Sequence, residues 1–321
     1  MSQYKQLTQS QRYAIYVLLQ EDKSHRRIAT RLGVHHSTVS REIKRNTRIH
    51  AYRHGVAQEL ASARRATVRC PTKLTPANKL LIGAYLRKHW SPEQVTGRLK
   101  LEGLLKISHE TIYKYIRQNI AEGGKLYKSI RRSKKYRKKR ISVTQAAIAN
   151  KVSIEQRPKE VDAKNRIGDW ELDTMISRQH SSVLVTMVER KSKYTFIGWS
   201  ASKHAAKVAR CIRFMFKHNK DKVLTITSDN GLEFAEHRQI GQWLNARYYF
   251  CHPYSSWERG LNENTNGLIR FYAPKGESFE HLDPVRLRQI MENLNTRPRK
   301  SLGYLTPKEV YHGLTPTAAC G

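Results

Sequence analysis

Apolar residues recur at helical spacing up to about residue 120 and at strand spacing from residue 166 onward. In the first stretch, Tyr13, Ile15, Tyr16, Leu18 and Leu19 mark a helix, opened by Thr8 and Gln11 at capping-box spacing. Ser24 suits the cap of a second helix over 24–32, and Gly33 stands where that helix should stop. Val39 and Ile43, four apart, face inward from a third helix over 37–45. That leaves Ser37, Thr38, Ser40, Arg41 and Lys44 facing outward. A short helix, a glycine turn and a helix showing hydroxyls and cations predict a helix-turn-helix, whose last helix fits the major groove. Arg41 suits a guanine edge, and Ser37 and Thr38 suit phosphates. The plainer reading is a three-helix unit with an ordinary charged face.

Residues 72–120 repeat this architecture without repeating the sequence. Thr75-Pro76 opens a helix through Leu80, Leu81, Tyr85 and Leu86. Ser91-Pro-Glu-Gln94 opens the next, with proline at the first helical position. A third starts at Ser108, turns Ile112 and Ile116 inward, and leaves His109, Thr111, Lys114 and Arg117 available to DNA. Glu122-Gly-Gly124 then breaks the pattern, and Arg131–Arg140 holds eight basic residues in ten. Such a run is a solvated linker that also adds phosphate contacts.

The later runs 167–176, 182–188 and 194–199 are β-rich and separated by short polar turns, which predicts an antiparallel meander. A helix over 203–218 follows, with Ala206, Ala209, Ile212 and Phe216 inward. Next come a strand over 223–227, a helix near 238–245 and a strand over 248–251. A helix over 255–270 carries Trp257, Leu261, Leu268 and Tyr272 on one stripe. The order predicts a mixed α/β sheet flanked by helices. Residues 297–307 read as an extended tail with a turn.

Charge sharpens this picture. Lys and Arg number 60 against 26 Asp and Glu, a formal net charge of +34. Residues 1–150 carry 33 basic and 8 acidic side chains, net +25; residues 151–321 carry 27 and 18, net +9. A basic first half beside a more balanced second half points to a polyanion held by one and worked on by the other. Nucleic acid is the leading polyanion, rather than a small-molecule substrate. An anionic membrane surface is the alternative, but no apolar run approaches membrane-spanning length and no signal peptide opens the chain, so no membrane is expected. Cys70, Cys211, Cys251 and Cys320 are scattered, which suits a reducing cytosol. The histidines, His35-His36 included, lack metal-ligand spacing.

Asp173 lies within one strand run, and Asp229 ends another just before the turn-forming Asn230-Gly231. Glu263 follows with 33 residues between, and Asn266 and Arg270 share its helix face. Two strand carboxylates and one helix carboxylate suit a site for two divalent cations; a solvated helix face is the alternative. Asp169 and Glu171 alternate onto the same strand face as Asp173. Glu258 rivals Glu263, although an acid near a helix start is favoured for dipole reasons alone. Gathered without a cation, such carboxylates repel and at least one pKa rises. Arg270 suits either the helix packing or a DNA phosphate; Trp257 and Asn266 read as structural first.

Gly168-Asp-Trp-Glu-Leu-Asp173, Val188-Glu-Arg-Lys-Ser192, Ser228-Asp-Asn-Gly-Leu-Glu-Phe234, Asn262-Glu-Asn-Thr-Asn-Gly-Leu-Ile-Arg270, Pro274-Lys-Gly276 and Arg297-Pro-Arg-Lys-Ser-Leu-Gly-Tyr-Leu-Thr-Pro307 follow in order, after the amino-terminal helix-turn-helix. With them the chain resembles bacterial DDE transposases of the insertion sequence thirty family, whose catalytic domain has the retroviral-integrase-like ribonuclease H fold. His35-His36 replaces a usual Ser-Pro, Ser256 a usual proline, and Ala273 a usual aromatic.

The resemblance implies helix-turn-helix units followed by an α/β ribonuclease H-like catalytic domain. It implies Asp173, Asp229 and Glu263 as catalytic, metal-holding residues for two Mg²⁺ ions, with Mn²⁺ as substitute. It further implies double-stranded DNA, both terminal inverted repeats and target, as partner. The protein would act as a homodimer or higher oligomer in the bacterial cytoplasm, at the nucleoid. The expected plan is helix-turn-helix 1–66, a second one 67–125, a basic linker 126–160 and the catalytic domain 161–321. A non-catalytic DNA-binding regulator and a ribonuclease H-type nuclease remain the alternatives.

Overall fold

The computed structural model describes residues 6–47, 51–67, 73–130, 148–177 and 182–315; the basic run Arg131–Arg140 lies outside them. The chain divides into two compact units, Met1–Lys73 and Leu74–Gly321.

In the first unit, α1 (Gln9–Gln20), α2 (His25–Leu32), α3 (His36–Asn46) and α4 (His54–Thr67) surround Ile15, Leu18, Ile28, Val39 and Ala57. Thr8 and Gln11 close the expected capping box, and Gly33 ends α2 at φ 64°, a left-handed conformation that favours glycine. His35 caps α3: its Nδ1 accepts the Ser37 N–H at 3.3 Å. The sequence pattern did not show α4, nor the buried Arg12 that ties three segments together. Arg12 donates from Nε to Glu42 of α3 at 2.6 Å, and from Nη1 to Gln58 of α4 at 2.8 Å and to the Leu7 carbonyl at 2.9 Å.

The second unit begins with α5 (Pro76–Arg87), α6 (Pro92–Leu101) and α7 (His109–Ala121), packed around Ile82, Leu86, Trp90, Val95, Leu99 and Ile112. A short α8 (Lys159–Ala163) precedes the meander β1 (Asp169–Ile176), β2 (Val183–Glu189) and β3 (Thr195–Ser200). Then come α9 (Ala205–Met215), β4 (Thr225–Ser228), α10 (His237–Leu244) and β5 (Arg247–Phe250). The chain continues through α11 (Gly260–Ile269), α12 (Pro284–Asn295) and α13 (Pro307–His312). The sheet runs β3-β2-β1-β4-β5, antiparallel across the meander and parallel from β1 through β4 to β5.

Strand alternation decides which residues of β1 meet which helix layer. Trp170 and Leu172 enter the core shared with Val208, Ile212, Phe216, Ile240 and Leu244, on the α9 and α10 side. Met175 enters the opposite core with Leu268, Ile269, Leu287 and Ile290 of α11 and α12. Asp169, Glu171 and Asp173 share the parity of Met175, so the acidic residues of β1 lie on the face that α11 covers.

Three expectations change. Ala206 is exposed, and Val208 joins Ala209 and Ile212 on the buried side of α9. The helix expected over 255–270 starts only at Gly260, after a 3-10 turn Ser256–Arg259, and Trp257 is 75% exposed rather than part of an apolar stripe. Glu258 accounts for this: its carboxylate accepts the His252 N–H at 2.9 Å and holds the ring at 2.7 Å, fixing a turn.

Residues 297–307 are not an extended tail. They turn through a 3-10 segment, Lys300–Leu302, into α13 and dock on the α5–α7 helices. Arg98 grips Glu309 with two bonds of 2.8 and 2.7 Å and Glu102 with one of 2.6 Å. Tyr304 covers Gly97 so closely that a Cβ there would lie 2.2 Å from the ring.

Candidate active site

Adjacent parallel strands β1 and β4 bring the two aspartates together. Asp173 sits two residues beyond Glu171, which pairs with Thr227 in the sheet, and Asp229 directly follows β4. One guanidinium spans them. Arg259 Nη2 donates to Asp229 Oδ2 at 2.7 Å, and its Nη1 lies 3.2 Å from Asp173 Oδ1 while donating to the Leu172 carbonyl at 3.0 Å.

Further bonds fix each carboxylate. Asp173 Oδ1 accepts the Thr174 N–H at 2.9 Å, and its Oδ2 accepts from Asn266 Nδ2 at 2.8 Å. Asn266 is itself held by the Thr186 hydroxyl at 3.1 Å. Asp229 Oδ1 accepts the Gly231 N–H at 3.1 Å, and Asn230 anchors that turn by donating to the Cys251 carbonyl at 2.7 Å. Burial pushes the Asp173 pKa up; Arg259 pulls it down, the Asp229 charge adds to the rise, and the net direction is upward. For Arg259, burial opposes the charge, but the two aspartates more than offset it and raise its pKa.

The rival carboxylates are occupied elsewhere. Asp169 is fully buried, accepting from Arg166 at 3.0 Å and from Thr225 Oγ1 at 2.7 Å. Glu171 is buried against Arg190 at 2.8 Å and accepts the Asn262 N–H at 3.2 Å. Glu258 is held by His252; burial works to raise its pKa, but the His252 bonds win and lower it.

Glu263 is exposed on α11. Arg259, Glu263, Asn266 and Arg270 follow one another at helical spacing along one face. Three of the four contact β1 or the aspartates, Arg270 through the Ile176 carbonyl at 3.1 Å. Glu263 stands among them on that face but is not drawn against Asp173 and Asp229. Among the described residues no three His, Cys, Asp or Glu side chains gather closely enough to hold a metal ion. The oxygen donors suit a hard divalent cation, yet in this arrangement a guanidinium lies between the two aspartates.

Arg259 was missed from sequence, and Asn266 was read as structural. The available signal was spacing, since both lie on the Glu263 face, four residues before it and three after.

Nine of the expected DNA contacts lie on α3 and α7; the tenth, Arg270 next to the end of α11, donates to the Ile176 carbonyl at 3.1 Å. Ser37 Oγ accepts from Arg41 Nη2 at 3.1 Å, and Ser40 pairs with His25 at 3.2 Å. Thr38 and Arg41 line a hollow of about 480 Å³ with Arg45, Arg64 and Arg65, while Lys44 is exposed. On α7, His109, Lys114 and Arg117 are exposed and Thr111 shares a 2.8 Å hydroxyl bond with Ser108.

Comparison with known proteins matches residues 3–46 to a helix-turn-helix domain and 164–256 to the integrase core domain. The core match contains Asp173 and Asp229 and ends before Glu263. A transposase for insertion sequence element IS4351 of Bacteroides fragilis is 44% identical over 96% of this chain and 95% of its own length. Transposase InsI for IS30A of Escherichia coli K12 is 35% identical over 95% of this chain and 82% of its own. A transposase for IS1086 of Cupriavidus metallidurans is 33% identical over 96% and 95%.

The chain belongs to the IS30 family of insertion-sequence transposases. It is therefore an enzyme of the polynucleotidyl transferase class, with a helix-turn-helix region and a mixed-sheet catalytic domain of integrase type. Transposases with helix-turn-helix domains bind DNA, and integrase-core enzymes work with divalent metal ions. No helix of this transposase is long and apolar enough, among the described residues, to cross a membrane.

Proposed function

We propose that this transposase binds the terminal inverted repeats of its element, cuts at the element ends and joins the freed 3′-hydroxyl to target DNA. Asp173, Asp229 and Glu263 serve as its catalytic carboxylates, with two Mg²⁺ ions as cofactor and Mn²⁺ as substitute. The observation that carries this reading is the pairing of Asp173 and Asp229 at one guanidinium beneath the helix that bears Glu263. Divalent cations held by such oxygens supply Lewis-acid chemistry for in-line phosphoryl displacement.

The chain's own groups set the geometry. Asn266 and the Thr174 N–H orient Asp173, the Gly231 N–H orients Asp229, and Arg270 holds α11 to the end of β1. Water breaks the phosphodiester bond at each end and leaves a 3′-hydroxyl. That hydroxyl then attacks a target phosphorus and displaces a target 3′-oxygen, so one phosphodiester replaces another.

Ser37, Thr38, Ser40, Arg41 and Lys44 form one DNA-reading surface, and His109, Thr111, Lys114 and Arg117 a second. The working plan is reading units over 1–66 and 67–125, a basic linker over 126–160 and a catalytic domain over 161–321. Joining two ends calls for a homodimer or larger assembly on DNA. The test uses end-labelled DNA carrying the element's termini, with and without Mg²⁺, and the wild type beside Asp229→Ala. Metal-dependent nicking and joining, absent from the variant while DNA binding persists, is the expected result. Specific binding without nicking by either protein overturns the catalytic reading and leaves a regulator.

A further inference from the structure

Arg259 makes a set of contacts that neither the family match nor the motif pattern explains. It closes the 3-10 turn before α11, outside the residues matched as integrase core. Its side chain is 11% exposed and reaches two carboxylates and the Leu172 carbonyl. The oxygens it takes are Asp173 Oδ1, at 3.2 Å, and Asp229 Oδ2, at 2.7 Å. The remaining oxygens, Asp173 Oδ2 and Asp229 Oδ1, already accept from Asn266 and the Gly231 N–H. A divalent cation bridging the two aspartates would lie within a few ångströms of the guanidinium that already spans them. Two like charges a few ångströms apart in a low-dielectric site repel strongly, so both do not stay.

We propose that Arg259 is the resident counter-cation of the Asp173–Asp229 pair, holding the two carboxylates in register and competing with the divalent metal for them. This rests on the catalytic reading of the two aspartates given above. The residue is a positioning group: its planar fork spans two carboxylates as no lysine can, and keeps them together against their mutual repulsion. Glu258 pins the turn that carries it through His252, at 2.9 and 2.7 Å, so withdrawal is a change of the arginine side chain and not of the turn. The same fork matches a phosphate once it leaves the aspartates, which makes the DNA backbone its alternative partner.

The test is Mn²⁺ binding to the full chain without DNA, by titration calorimetry, for wild type, Arg259→Gln, Arg259→Lys and Asp229→Ala. Arg259→Gln removes the competing charge and is expected to bind Mn²⁺ at least tenfold more tightly, with Arg259→Lys between it and wild type. Thermal melts supply a second reading. Without metal Arg259→Gln should melt below wild type, and Mn²⁺ should raise its Tm by more than it raises that of wild type. If Arg259→Gln does not fold without metal, recovery of a cooperative melt on adding Mn²⁺ supports the proposal, and no recovery overturns it.

Mn²⁺ affinity in Arg259→Gln equal to or weaker than wild type also overturns it, since the arginine would then not compete. Asp229→Ala separates the two readings. If it abolishes Mn²⁺ binding while Arg259→Gln gains nothing, only the place-holder role fails. If tighter Mn²⁺ binding persists in an Arg259→Gln/Asp229→Ala double variant, the metal lies elsewhere and the aspartate assignment fails with it.

Discussion

Glu171 on β1 accepts the backbone N–H of Asn262, in the first turn of α11, at 3.2 Å. No side chain of its own caps α11, so the strand carrying Asp173 supplies the carboxylate for the open end of the helix carrying Glu263. Arg190 holds the other Glu171 oxygen at 2.8 Å, so that carboxylate is fixed from both sides.

Removing this link should hurt both stability and catalysis. Glu171→Ala leaves Arg190 buried without that partner and is expected to cost about 3–5 kcal/mol, read by urea denaturation. Glu171→Gln keeps an acceptor for the Asn262 N–H and should cost less. In the strand-joining assay the glutamine variant should lose rate while DNA affinity stays unchanged. Equal activity of wild type and both variants would remove Glu171 from the positioning of α11.

The Arg98–Glu309 pair gives a pH signature. Burial alone would raise the Glu309 pKa, but the Arg98 and Thr306 bonds win and hold it below the ordinary value. A depressed folded pKa means that the pair stabilises the protein above the unfolded-state pKa of about 4.3 and stops doing so as pH falls through the folded value. The Tm difference between wild type and Glu309→Gln is therefore expected to be full at neutral pH and to close in acid. A difference that is constant with pH contradicts the assignment.

Gly97 and Tyr304 should couple. A methyl group at 97 collides with the Tyr304 ring, so Gly97→Ala is expected to cost about 1–3 kcal/mol. Tyr304 has φ 69°, which glycine adopts freely, so Tyr304→Gly removes the ring without backbone strain. In that background Gly97→Ala should cost close to nothing, and a double-mutant cycle measures the difference.

On the helix-turn-helix, Arg41→Ala is expected to weaken binding to the terminal repeat by about 1–3 kcal/mol and to relax its sequence preference. Lys44→Ala should weaken specific and non-specific DNA about equally and reduce the salt slope by roughly one. Binding measured across salt concentrations on repeat and scrambled DNA separates the two effects.

Local chemistry alone determined much of this transposase. The Thr8, Ser24 and Ser91 caps and the Gly33 stop follow from contacts within a few residues, and the meander joins neighbouring strands across short turns, so these were legible as pattern. So was the alternation that places Glu171 and Asp173 on one face of β1. Tertiary structure decided the rest, because the deciding partners are far away in the chain. Pairing of β1 with β4 brings Asp229 beside Asp173, and strand adjacency is not written in periodicity. Asp169, Glu171 and Asp173 look alike in sequence; Arg166, Arg190 and Arg259 give them different surroundings. Trp257 sits at helical spacing yet lies outside the helix, since Glu258 bonds back to His252 and holds a turn. The tail over 297–307 carries few apolar residues, and its order comes from Arg98 and Gly97, some two hundred residues earlier. Helix caps and strand periods are short-range energies that a linear pattern records. Which charge ends up beside which carboxylate is set by packing, and only the folded chain fixes it.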